Sequence, residues 1–148
     1  MSIQWKTKSF DALTVYELYE ILQLRSQIFV VEQNCVYQDL DGMDSQALYL
    51  WGEFEGKIVA HARLFKPGIT FETASIGRVV VDSKHRNKKW GHELMQEAIK
   101  NVENIFGEYQ ITIGAQLYLK NFYETHGFIP ISEMYLEDGI PHIKMKKE

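Results

Sequence analysis

Two hydrophobic periods alternate along the chain, and the switches between them mark its elements. Ile3 and Trp5 alternate with polar neighbours, which predicts a strand over residues 3–8. Thr14 and Glu17 stand at capping-box spacing, so a helix is expected to start there. Leu18, Ile21, Leu22, Arg25, Ile28 and Phe29 then recur at helical spacing and predict a face packed on a sheet. Residues 30–46 read as a loop. Residues 47–54 and 57–65 are two runs of strand formers around Glu55-Gly56, a β-hairpin pattern. Residues 73–81 form another strand, and its unbroken apolar end suits burial on both faces.

A second long helix is predicted from Gly91 to Phe106 by Leu94, Met95, Ala98, Ile99, Val102 and Phe106. A short strand over 109–114, a helix over 117–126 and a closing hairpin (128–136, then 140–145) complete the chain. The order β-α-β-β-β-α-β-α-β-β predicts an α/β sandwich of mostly antiparallel strands covered by helices.

Composition narrows the possibilities. A length of 148 residues fits a single domain, 1–148, and 45% hydrophobic residues suffice for a core. A net charge of -4 argues against a general nucleic-acid face, but not against a small anion held at one basic spot. The single cysteine, Cys35, has no intrachain partner and reads as a small apolar residue of a reducing compartment. The N-terminus lacks a signal-type pattern and no segment approaches the length of a membrane span, so a soluble cytoplasmic protein is expected.

The local basic spot is 85-HRNKKWGHEL-94. It follows a strand and opens a helix, whose first turn offers unpaired N–H groups and partial positive charge. Arg86, Lys88 and Lys89 would add charge for a phosphate, and Gly91 would let one approach. A solvated basic loop fits the same residues. Walker and dinucleotide-fingerprint patterns are both absent. The acidic stretch 39-DLDGMD-44 has Asp44 and Leu50 where a calcium loop needs Gly and Glu, so no metal site is expected. Its carboxylates read as turn residues that could also attract a cationic amine.

VVVDSKHRNKKWGHELM resembles motif A of the GNAT superfamily of N-acetyltransferases, which reads R/Q-x-x-G-x-G/A after an apolar strand. Arg86 and Gly91 match its first and last positions, and Lys89 replaces its first glycine. LKNFYETHGF resembles motif B. LRSQIFVVEQNCVY, DLDGMD and YLEDGIPHIKM resemble the ElaA-like subfamily.

The resemblance implies a GNAT-type fold: a central, twisted, mostly antiparallel mixed sheet flanked by helices, splayed between the motif A strand and the strand after it. It implies acetyl-CoA as cosubstrate and an amine acceptor. The pantetheine arm would pair with Val79 and Val81, beside Val80. The diphosphate would rest on Arg86, Asn87, Lys88, Lys89, Trp90 and Gly91, with His92 at the helix start. Lys89 is expected in a helical conformation, since its neighbours are not glycine either. Tyr123, otherwise read as a core aromatic beside Phe122 and Phe128, takes the family's place for the acid that protonates the leaving thiolate.

Candidates for the base are Glu32, Asp41, Asp44, His142 or a relayed water. Glu32 follows an apolar run and reads as a buried carboxylate of raised pKa or as a loop charge. His142 also fits a strand histidine paired across the last hairpin. The implied function is acetyl transfer from acetyl-CoA to a primary amine of a small molecule or peptide. A non-catalytic acyl-CoA-binding domain and a CoA-independent interaction module are the alternatives. The chain reads as a monomer or a homodimer joined through the final hairpin.

Overall fold

The computed structural model describes residues 2–148. β1 (Gln4–Ser9) is followed by α1 (Val15–Arg25), β2 (Leu48–Phe54), β3 (Lys57–Phe65) and β4 (Ala74–Val81). Then come α2 (Trp90–Asn101), β5 (Ile111–Gln116), α3 (Lys120–Glu124), β6 (Ile129–Pro130), β7 (Tyr135–Glu137) and β8 (Ile140–Lys147). These strands form one sheet in the order β1-β2-β3-β4-β5-β8-β6, with β7 also paired to β8. Every pairing is antiparallel except β4 with β5.

Strand alternation sends apolar side chains to both faces, and a helix covers each. Leu50, Ala60, Ala62 and Leu64 meet Leu94, Met95, Ala98 and Val102 of the α2 layer. Tyr49, Trp51, Phe65 and Val80 meet Ile21, Leu24 and Ile28 of the α1 layer. β4 is thus buried on both faces near its end, since Val79 and Val81 pack on the first cluster and Val80 in the second.

The predicted order of elements holds, and the differences have local causes. The Thr14–Glu17 capping box starts α1 with both reciprocal bonds. The helix then widens into a π-type turn over Ser26–Glu32, so it reaches three residues into the expected loop. After α2, a second π-type turn over Val102–Phe106 stops at Gly107 in the left-handed region, which delays β5 by two residues. The predicted 117–126 helix is shorter, a 3₁₀ turn over Leu117–Leu119 leading into α3. The predicted 128–136 strand splits into β6 and β7 at residues 131–134, where the Lys144 N–H donates to the Ser132 hydroxyl rather than to a backbone carbonyl.

Candidate functional site

The single parallel pairing is also the shortest long-strand contact. Only Ala74↔Ile111 and Ser75↔Thr112 join β4 to β5, and beyond them the strands part. A bulge lies just past that point. Arg63 faces Gly77 and His61 faces Val80, so Arg78 and Val79 together stand opposite Ala62. Arg78 lies in the left-handed region with φ 48°, which costs a side-chain-bearing residue about 1 kcal/mol or more.

Its side chain is held tightly. Arg78 Nε lies 2.7 Å from Asp39 Oδ1, its Nη2 donates to the Asp39 carbonyl at 3.0 Å, and Asp41 lies 3.4 Å away. The loop after α1 thus grips the residue that turns β4 aside. The same loop anchors Arg25, which is fully buried between Asp39 (2.9 Å) and Asp44 (2.5 Å). Asp41 takes a two-pronged contact from Arg63 at 2.8 and 2.9 Å. That fork holds the Asp41 carboxyl well below the usual range. Burial alone would raise Asp44, but hydrogen bonds from Arg25 and Tyr49 outweigh it and keep this carboxyl low too. Buried His61, in the same layer, is pushed down to about 3 by desolvation, so it adds no charge. Asp41 and Asp44 are therefore not free bases, and the three acids of DLDGMD are spent on three arginines rather than on an amine.

The parted strands enclose a cleft of about 350 Å³. The Asp82 N–H donates to the Val59 carbonyl at 2.8 Å, so alternation turns the polar backbone of Val81 the other way, to the open edge. Arg86 Nε reaches the Val81 carbonyl there at 3.4 Å. Val80 stands opposite His61, and its backbone faces β3. Tyr123 enters the cleft from α3 with 6% of its surface exposed, and burial pushes its phenol well above the ordinary range. Gly91, in the first turn of α2, also lines the cleft. A Cβ there would meet only the Phe122 ring at 3.6 Å, so packing within the chain does not demand the glycine.

Residues 20–148 match the family model for the acetyltransferase (GNAT) domain. The chain belongs to the GNAT acetyltransferase family. Protein ElaA of Escherichia coli K12 is 42% identical over 148 residues, covering 99% of this chain and 97% of that one. The crystal structure of E. coli ElaA matches with a TM-score of 0.92 at 41% identity, over 99% of this chain and 100% of that chain. An acyl-CoA N-acyltransferase from Pseudomonas aeruginosa matches with a TM-score of 0.94 at 39% identity and the same coverages. A GNAT family acetyltransferase from Elizabethkingia anophelis with acetyl-CoA bound shares the fold at 18% identity and a TM-score of 0.67, over 99% of this chain and 97% of that chain.

In this GNAT chain the basic loop divides its labour. Arg86 lines the cleft and pairs with Glu32 at 2.5 Å. Lys88 instead sits over the rings of Phe54 (4.8 Å) and Trp90 (5.5 Å), and Trp90 is buried against Phe54 and His85. Asn87 lies exposed in the 3₁₀ turn Ser83–Lys88. His92 leaves the cleft too, with its Nδ1 3.0 Å from His126 Nε2 and its ring against Phe122. Lys89 is not helical. It takes φ 61°, ψ 23°, the left-handed region, as the N-cap of α2. The motif glycine is thus replaced where glycine is favoured, and Lys89→Gly is expected to stabilise the fold by about 1 kcal/mol, read as a raised denaturant midpoint.

Glu32 is exposed and ion-paired rather than buried. His142 lies across from Tyr135 in the last hairpin, as the strand reading had it, and lines the cleft as well. Its Nδ1 donates to the Ile140 carbonyl at 2.7 Å, which leaves Nε2 toward Glu137 at 3.6 Å. Cys35 is half-buried in the cleft wall. Sequence reasoning missed Arg78, Glu137 and Asp138. A lone arginine between apolar strand residues was the available signal for the first, and nothing local pointed to the others. Among the described residues no helix is long and apolar enough to cross a membrane.

Proposed function

We propose that this chain is an N-acetyltransferase that passes the acetyl group of acetyl-CoA directly to a primary amine. The observation that carries the reading is the β4–β5 cleft, where an unpaired backbone edge, a helix N-terminus and a buried phenol meet. The free edge at Val79 and Val81 suits the amide-bearing pantetheine arm. The first-turn N–H groups of α2 at Trp90, Gly91 and His92, with Arg86 nearby, suit the diphosphate.

In the transfer, the amine nitrogen bonds to the acetyl carbon as the carbon–sulfur bond breaks. The ammonium gives up two protons in all, and the leaving thiolate takes one. A Val81 N–H would polarise the carbonyl. Tyr123, kept protonated by burial, suits the donor to sulfur. His142 with Glu137 suits the acceptor of the amine's proton, and Glu32 holds Arg86 in place.

Thermal shift with acetyl-CoA, followed by thiol release against a broad amine panel, tests the reading. Stabilisation by acetyl-CoA and amine-dependent CoA release are expected, with H142A slowed more than E32Q. Stabilisation without release from any amine leaves an acyl-CoA-binding domain. No stabilisation removes acetyl-CoA altogether.

A further inference from the structure

The two strands that part at the cleft also frame an opening to the other face of the sheet. Two positions past the last β4–β5 pair, each edge carries a glycine, Gly77 and Gly114. A Cβ on Gly77 would meet nothing within 4 Å, and one on Gly114 would meet only the Tyr135 phenol oxygen at 3.2 Å. Both glycines line the cleft, and both line an outer groove of about 650 Å³ on the α1 face. The size suits a small ligand. Cleft and groove thus share the two glycines as common wall, and an acceptor held in the groove would meet the cleft there.

The groove sorts its charges by position. The loop acids Asp39, Asp41 and Asp44 are neutralised by Arg25, Arg63 and Arg78. What remains is Glu137 and Asp138 at the junction, since both line cleft and groove, and Lys144, which lines the groove only. Lys144 pairs in register with Gly114, so both sit on one face of the sheet. Its neighbours Lys146 and Lys147 are matched with Glu148 and Glu103, whereas Lys144 has no carboxylate partner among the described residues. Its ammonium lies 5.9 Å from the centroid of Phe71. Tyr37, Phe71 and Tyr135 supply aromatic wall.

We infer that the acceptor is a small amino-carboxylate with an apolar or aromatic body. Its ammonium is drawn to Glu137 and Asp138 at the opening, its carboxylate pairs with Lys144, and its body lies against the tyrosines and Phe71. The inference rests on the N-acetyltransferase reading and names the substrate class. In the transfer only the amine nitrogen gains a bond, while the carboxylate stays ionised throughout.

Three probes test it in the CoA-release assay: L-phenylalanine, phenethylamine (no carboxylate) and glycine (no apolar body). L-Phenylalanine is expected to exceed each of the others by about tenfold in kcat/KM, the scale of a charge-assisted bond or a buried apolar group. K144M is expected to bring the phenylalanine-to-phenethylamine ratio close to one. Phenethylamine equal to or better than phenylalanine, or an unchanged ratio in K144M, overturns the inference. So does activity on other amines with none on these three, while the transferase reading stands. Release from no amine on the broad panel sinks both.

Discussion

Replacing Tyr123 by Phe is expected to cut kcat for acetyl transfer by about 100-fold or more while leaving acetyl-CoA affinity almost unchanged. A positioned proton donor contributes about 10²–10⁴, and the setting of Tyr123 suits the donor role proposed for it. Burial raises the phenol's pKa, so it stays protonated across the working range and is available as a donor. Phe keeps the ring, which packs edge-on against Phe122 (5.1 Å) and Phe128 (6.1 Å), so the fold should hold. Steady-state kinetics beside a titration of acetyl-CoA binding separates the two effects. An unchanged kcat returns Tyr123 to a packing role.

The second large effect concerns stability. Arg25→Met is expected to destabilise the protein by about 3 kcal/mol, read from equilibrium unfolding in denaturant. Removing one partner of a buried ion pair costs about 3–5 kcal/mol. The lower end applies because each stranded acid keeps another arginine, Asp39 with Arg78 and Asp44 with Arg63. The surface pair Lys6–Glu53 is the control. Lys6 is about half exposed there, so Lys6→Ala should cost under about 1 kcal/mol. Equal losses in the two variants would mean the Arg25 network contributes no more than a solvated pair.

How much of this was legible in the sequence depends on the range of the interaction. Apolar alternation in β2 to β4 and the stripes of α1 and α2 are local, so the layered sheet could be read directly. The Thr14–Glu17 cap was legible for the same reason. The acids of DLDGMD were not, because their partners Arg25, Arg63 and Arg78 come from three separate elements and meet only in the fold. Glu32 read either as a buried carboxylate or as a loop charge, and only the fold decides between them: the π-type turn leaves it exposed at the cleft wall, paired with Arg86. Lys88 read as a phosphate ligand from charge alone, while the rings that hold it lie on β2 and α2. Lys89 and Arg78 show a further limit. Left-handed backbone at a lysine or arginine goes against local preference, so only the folded context reveals it.

The brevity of the β4–β5 ladder has a mechanical consequence. It divides the sheet into two leaves along a seam, and only the first two positions stitch them. Beside a few side-chain bonds such as Thr73–Thr112 and Gln33–Gln116, the remaining adhesion is apolar packing: Ile76 on one leaf and Ile113, Ala115 and Met145 on the other share one cluster beneath α2. Such contact is non-directional, so the seam can widen by small slides that a hydrogen-bonded ladder would resist. An extended molecule lying in it acts as an interposed strand, taking backbone bonds along β4 that β5 does not. A molecule filling the seam would therefore tie the two leaves together through backbone bonds that the short β4–β5 ladder leaves unmade.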